Sequence, residues 1–357
     1  MDEQIFAIQR YGGISRLFAE LARYFTMQSD LDVNLMPLGA PVINRYLLDD
    51  PVLAPALDVR ASRNEWIALA WYFSHVERRR ADLIHSTFYL PHGLAGPRGT
   101  KRVVTVYDMI PERMPQTRRR LDFLTLKRKY IERADHVICI STATKEDLLD
   151  VYGPMDKPIT VVPLGVDPRF RSDAPRLNFL PDRYVLFVGH RGQYKDAPVL
   201  IRAFSSIAKS HSDLKLAFVG GGRLSSMERM AIHSAGISDR VVQVALADKD
   251  MPSAYAHADA FVFPSRFEGF GLPALEAMAS GAPTILANAT SLPEVGGPAA
   301  HYFTPGDDEG LAQVLTDVLT DAAQAKQMRT EGIQWAAGFP WLLTAQRTAD
   351  VYRQALR

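Results

Sequence analysis

Short apolar runs, many of them β-branched, alternate with longer stretches of helical periodicity along the whole chain. In the first half the runs fall at 32–36, 82–85, 102–106, 136–140 and 159–162; in the second they fall at 184–188, 214–219, 240–244, 260–263 and 283–286. A strand with one wet face alternates apolar and polar residues. These runs are near-continuously apolar, which calls for parallel sheets covered by helices on both faces. Two such sets predict an α/β chain of two doubly wound domains. A polar, proline-bearing segment at 169–183 lies between them. The predicted division is a first domain over 1–170, a second over 171–340, and a final helix over 341–357 that returns to the first domain. Residues 1–10 are only partly apolar where such a domain ordinarily opens on a strand, so the first strand is expected to be missing or abbreviated.

Doubly wound sheets take ligands beyond the carboxyl ends of their strands, so the chemistry is sought in the turns that follow the apolar runs. The run at 260–263 leads into Glu268-Gly269-Phe270-Gly271-Leu272-Pro273-Ala274-Leu275-Glu276. Glycines make a tight turn, and Pro273 suits the first turn of a helix. A helix N-terminus presents unpaired N–H groups and the positive end of a dipole, which suits an anion such as phosphate. Two carboxylates beside a phosphate are better matched to hydroxyl groups, so sugar and ribose are their natural partners. After the run at 184–188, Arg191 offers a planar donor fork and Lys195 a compact charge. They read as a clamp on one diphosphate or as solvated surface charges. Gly12-Gly13, before the helical segment at 17–21, reads as a close backbone approach to a ligand or as a plain turn. Asp108 follows the run at 103–107 and reads as a cleft carboxylate or a turn cap. His85 reads as a hydrogen-bonded structural histidine. The other histidines lack metal-ligand spacing, and no metal is expected.

Composition narrows the picture modestly. A chain of 357 residues is too long for one ordinary core, and 47% apolar with 23% charged residues is typical of a soluble globular protein. A net charge of +1 gives no global attraction to nucleic acid. The single cysteine, Cys139, excludes an intrachain disulfide and reads as a buried, inert thiol. No basic start precedes an apolar stretch, and no run approaches the ~18 apolar residues that span a bilayer, so a cytoplasmic location is expected. Charge is uneven, however. From 98 to 133, eleven Lys or Arg face four acidic residues, a net of +7. Leu121, Leu124, Arg128 and Ile131 fall at helical spacing, and Arg118-Arg119-Arg120 and Lys127-Arg128-Lys129 would give that helix a basic face. It reads as a solvated surface or as a contact for anionic headgroups on the inner face of the cytoplasmic membrane.

Five motifs now stand in one order: Gln9 to Arg16, Val162-Pro163-Leu164-Gly165-Val166-Asp167, Val188-Gly189 through Lys195, Glu268 to Glu276, and Ser291-Leu292-Pro293-Glu294-Val295. In this the chain resembles the retaining glycosyltransferases of family four, in particular their bacterial mannosyltransferase-like group. The resemblance implies the GT-B fold, two Rossmann-like domains facing a central cleft. It implies a metal-independent hexosyltransferase without a cofactor, whose donor substrate is a nucleoside diphosphate sugar. It gives Arg191 and Lys195 the donor diphosphate, the amides of Phe270, Gly271 and Leu272 the same phosphates, Glu276 the ribose and Glu268 the transferred sugar. Gly12 and Gly13 would close over the donor, and Asp108 would touch the sugar. One position departs from the pattern: Tyr107-Asp108 stands where many relatives have His-Asp. A GDP-mannose-like donor and a saccharide acceptor, lipid-linked as in surface polysaccharide assembly, follow from the resemblance alone. A synthase or phosphorylase with a soluble acceptor, and an inactive scaffold homologue, are the alternatives.

Overall fold

A computed structural model describes the chain except residues 28–30, 34–40, 58–59, 63, 76–80, 92–93, 95–98 and 116–122. It divides into two compact units, Met1–Gly165 with Pro340–Arg357, and Val166–Phe339.

In the first unit, β1 (Pro41–Val42) pairs with β2 (Arg60–Ala61). A four-stranded parallel sheet follows, β3 (Leu83–Ser86), β4 (Lys101–Val106), β5 (His136–Cys139) and β6 (Ile159–Val161), hydrogen-bonded in that order. The chain opens on a short helix, Gln4–Ile8, whose first four residues are buried, instead of on a strand. The strand expected at 32–36 runs into residues outside the described set. The Trp341–Ala355 helix belongs to this unit. Its Tyr352 ring stacks on Phe25 at 5.5 Å, and its hydroxyl lies 2.7 Å from His85 Nδ1.

The second unit carries six parallel strands: β7 (Tyr184–Val188), β8 (Lys215–Val219), β9 (Val241–Val244), β10 (Ala260–Phe263), β11 (Thr284–Ala287) and β12 (His301–Phe303). Their order is β12-β11-β10-β7-β8-β9. The short β12 was not evident from the apolar runs. Tyr184, Phe187, Phe218, Phe261 and Phe263 are all fully buried in this sheet. Each contributes roughly 1.5–3 kcal/mol of transfer free energy. The order reverses between β7 and β10: the chain leaves β7 toward β8 on one side and later returns to β10 on the other. Loops that leave neighbouring strands in opposite directions open a crevice at the strand ends, where doubly wound sheets take their ligands.

The basic stretch of the first unit needs one correction. Its described helix is Phe123–Arg133, and Arg118-Arg119-Arg120 lie outside the described residues. Lys127 does not join a basic face. It is buried, its Nζ 2.9 Å from Glu112 Oε1, and it also donates to the Asp108 carbonyl. It stands three residues after Leu124 and four before the buried Ile131, so helical spacing turns it inward with them. Arg128 is exposed and pairs with Glu132 one turn on.

Candidate active site

The two loops that diverge at the reversal point carry Lys195 and Glu268. Beyond β7 the chain turns at Gly189, with φ +117°, and enters a tight 3₁₀ turn at Gln193–Lys195. Beyond β10 it runs Pro264-Ser265-Arg266-Phe267-Glu268. The Arg266 N–H donates to the Tyr194 carbonyl at 2.7 Å, which joins one loop to the other. Lys195 Nζ then donates to Glu268 Oε1 at 2.5 Å and sits 4.5 Å from the centre of the Phe263 ring. An ammonium has three donors, so the bond to Glu268 leaves others for a ligand.

Four residues past Glu268 the chain opens the Leu272–Ala279 helix. Gly271 takes φ +109°, and a Cβ there would lie 2.8 Å from Leu292 Cδ2, so glycine is required twice over. No side chain caps this helix. Among the described residues the N–H groups of Phe270, Gly271 and Leu272 find no acceptor. They are the unspent donors of a helix start, ready for an anion. Glu276, one turn into the helix, accepts a hydrogen bond from the Tyr255 hydroxyl at 3.1 Å. The loop is held from β11. Glu268 N–H donates to Thr290 Oγ1 at 2.9 Å, and Ser291 Oγ donates to the carbonyls of Glu268 and Phe270 at 3.0 and 2.8 Å.

Arg191, on the same loop as Lys195, turns to the glycine turn beyond β8. Its Nε donates to Glu228 Oε1 at 2.7 Å, Nη1 to the Gly220 carbonyl at 2.8 Å and Nη2 to the Gly222 carbonyl at 2.8 Å. The guanidinium also lies over the Phe218 ring, 5.6 Å from its centre. Gly220, Gly221 and Gly222 all have positive φ, and this turn is what the guanidinium organises. Glu228 is drawn below its ordinary pKa: burial opposes the shift, but bonds from Ser225 and from Arg191 outweigh it. The two cations thus have separate partners in this structure.

The remaining sequence-predicted residues are in the first unit. Gly12 precedes and Gly13 begins the Gly13–Met27 helix, where Ser15 Oγ donates to the Gly12 carbonyl and Ser15 N–H to Gln9 Oε1. Asp108 Oδ1 accepts from the Ile110 N–H at 3.0 Å, a turn-capping bond. Tyr107 is buried and donates to the Thr87 carbonyl at 2.8 Å. His85 is buried between Tyr352 and Thr105, and that burial, helped by the chain's amino terminus, lowers its pKa to about 3. Burial raises the Cys139 thiol to about 12, so it is inert. Among the described residues no three His, Cys, Asp or Glu gather to hold a metal ion, and no helix is long and apolar enough to cross a membrane. Sequence reasoning passed over Asp196, Arg266, Thr290 and Tyr255, whose types carry no motif; Ser291 was flagged only as the start of one.

Known proteins bear on this arrangement. Residues 11–170 match the model Glycosyltransferase Family 4, and residues 170–335 match Glycosyl transferases group 1. The chain is 30% identical over 249 residues to the MMP alpha-(1->4)-mannosyltransferase of Mycolicibacterium hassiacum, an alignment covering 68% of this chain and 60% of that one. It is 29% identical over 276 residues to the serotype-specific mannosyltransferase WbdA of Escherichia coli, of which it spans 34% and which covers 72% of this chain. With the O-antigen chain mannosyltransferase B of Escherichia coli it shares 26% identity across 86% of its own length and 82% of the relative's. Sucrose-phosphate synthase from Thermosynechococcus elongatus superposes with a TM-score of 0.72 at 20% identity, covering 98% of this chain and 96% of that one. WaaG, a glycosyltransferase involved in lipopolysaccharide biosynthesis, gives 0.69 at 18% identity over 96% of each chain.

Proposed function

The chain belongs to the glycosyltransferases of family 4 and group 1, whose two domain models together span residues 11–335, and has their GT-B fold; we propose that it transfers a hexose or deoxyhexose from a nucleoside diphosphate sugar to a saccharide hydroxyl. The observation that carries this reading is the Lys195–Glu268 pair at the reversal of the sheet, with Glu268 four residues before a helix start whose amides find no acceptor among the described residues. Lys195 and the amides of Phe270, Gly271 and Leu272 take the diphosphate. Glu276 takes the ribose hydroxyls and Glu268 the hydroxyls of the transferred sugar. As the bond from the anomeric carbon to the phosphate oxygen breaks, negative charge grows on the diphosphate. Fixed donors stabilise that charge without reorganising. Arg191 shapes the glycine turn beside the site and adds its field to the same anion.

Anomeric configuration is retained in this proposal. The departing phosphate oxygen takes the proton of the acceptor hydroxyl on the face where the new bond to the anomeric carbon forms. GDP-mannose is the first donor to test, a choice supported by the mannosyltransferases among the relatives. The acceptor is a lipid-linked saccharide, and the basic stretch 98–133, with Arg128, Lys129 and Arg133 exposed, meets an anionic membrane surface.

A panel of GDP-, UDP- and dTDP-sugars tests the core of the reading. A cognate donor at 100 times its Kd raises stability by about 2.7 kcal/mol and shifts the thermal midpoint. If none of them shifts it and none is consumed, the transferase reading fails. NMR of the product reads the anomeric configuration, and inversion removes the same-face mechanism. Full turnover on a soluble saccharide with no lipid present favours a soluble-acceptor synthase. Vesicle binding that ignores anionic lipid content and salt removes the membrane contact.

A further inference from the structure

Among the described residues two non-glycine positions have positive φ, Asp196 at +46° and Thr290 at +47°. This left-handed region is sparsely populated by side-chain-bearing residues, and a β-branched threonine there is an outlier. Such backbone persists only where its surroundings over-determine it. Both positions flank the same pair. Asp196 follows Lys195 directly, and Thr290 accepts from the N–H of Glu268.

Each is locked by a side-chain bond. Asp196 is buried, and its Oδ2 accepts from Arg266 Nε at 2.5 Å. Arg266 lies two residues before Glu268, and its own N–H holds the Tyr194 carbonyl. One arginine therefore ties the residue before Lys195 and the residue after it to the loop that delivers Glu268. On the other side Thr290 and Ser291 hold the backbone of Glu268 and Phe270 by three hydrogen bonds. The bonds from Arg266 hold the 266–270 loop at its root, and those from Thr290 and Ser291 hold it at its tip.

Resting on the transferase reading above, we infer that Asp196, Arg266 and Thr290 are positioning residues. Two left-handed backbone positions, each pinned by a side-chain bond, set the approach of the Lys195 ammonium to Glu268 and so to the leaving diphosphate. None of the three is assigned a contact with substrate; each acts through Lys195 or Glu268.

The test compares wild type with Arg266→Gln, Thr290→Ala and Thr290→Ser, using two readouts. The first is the rate of reductive methylation of Lys195 by formaldehyde and borohydride, measured by peptide mass spectrometry against the exposed Lys326 in the same chain. The second is the split between kcat and donor KM. Arg266→Gln and Thr290→Ala are expected to raise the Lys195 labelling rate severalfold. Both are also expected to lower kcat by on the order of tenfold while donor KM changes less, because the loss is in alignment and not in contact. Thr290→Ser keeps the hydroxyl and restores both. Arg266 is half exposed, so its variant carries the test even where Thr290→Ala does not fold. Wild-type labelling and wild-type kcat in Arg266→Gln overturn the inference, as does a Thr290→Ser variant that behaves like a folded Thr290→Ala. A wild type that consumes no nucleotide sugar, with Lys195 labelling still accelerated in the variants, leaves the positioning in place and ends the transferase reading instead.

Discussion

Among the described residues each unit holds a lysine–glutamate pair of low exposure, and the two differ in what surrounds them. In the first unit Lys127 and Glu112 are 6% and 5% exposed; in the second, Lys195 and Glu268 are 14% and 11% exposed. The difference in exposure is small, and the difference in surroundings is large. Lys127 spends its remaining donors on the Asp108 carbonyl and the Met109 sulfur, and Glu112 takes the Tyr152 hydroxyl. These partners all belong to the pair's own unit. Lys195 has an aromatic face beneath it, and Glu268 leads into a helix start whose amides have no acceptor among the described residues. A buried ion pair is therefore not a functional signal by itself. The pair proposed to act on the donor lies at the reversal of a doubly wound sheet, beside amides that find no acceptor among the described residues.

The largest effect expected from this contrast is on stability, in the first unit. Lys127→Met keeps the length of the side chain but strands the Glu112 carboxylate, one oxygen of which, Oε2, already has no partner among the described residues. Removing one member of a buried pair costs about 3–5 kcal/mol. Replacing both, as Lys127→Met with Glu112→Leu, recovers most of that. Denaturant midpoints measure both changes. A single variant as stable as wild type would show that the pair is hydrated in solution, and the contrast would collapse.

The next effect is on turnover, in the second unit. Lys195→Ala is expected to lower kcat by about 10²–10³-fold, roughly 2.7–4 kcal/mol, the scale for losing one fixed charge stabiliser. Its unfolding midpoint falls by less than that of Lys127→Met, because Glu268 keeps its backbone bonds and neighbours a helix start that favours anions. Loss of stability matching that of Lys127→Met, with kcat per folded molecule intact, would make the second pair structural like the first.

The contrast also shows what the sequence displayed and what it hid. Parallel strands buried on both faces are nearly continuous apolar runs, so β3 to β11 stood out and their sheets followed. The turn around Glu268 was legible because glycines, a proline and two carboxylates mark a helix start chemically. What was hidden is set by distance in the chain. Asp196 and Arg266 are 70 residues apart, and nothing in either type announces the other. Thr290 in the left-handed region runs against its own preference, so local reasoning points away from it. Lys127 was hidden differently. Helical spacing placed it on one face with Leu124 and Ile131, but its charge suggested water, and Arg128 offered the competing register. Arg191 read as a diphosphate clamp or a solvated charge; its bonds to the turn could not be read, because the carbonyls it serves lie after a different strand, at Gly220 to Arg223.

The smallest effect concerns pH, and it separates the wiring of the first unit from the chemistry of the second. His85 is held neutral between Tyr352 and Thr105, its pKa lowered by burial to about 3 against 6.5 for the free side chain. The unfolded chain therefore binds a proton that the folded chain refuses whenever the pH lies between those values. Stability rises with pH wherever the unfolded state binds more protons, so the His85 contribution is complete above 6.5 and is lost as the pH falls below it. Between neutrality and pH 5 that loss amounts to about 2 kcal/mol. His85→Asn lowers stability at neutral pH by removing bonds that tie β3 to the Trp341–Ala355 helix. It should also flatten the acid limb of the stability curve by the same ~2 kcal/mol. The pH profile of kcat per folded molecule should not move, since His85 lies among groups that face their own core. An unchanged acid limb in His85→Asn would mean that His85 is protonated in the native state. A shifted kcat profile would mean that the first unit's buried network reaches the reaction after all, and the division between a wired unit and a working one would have to be redrawn.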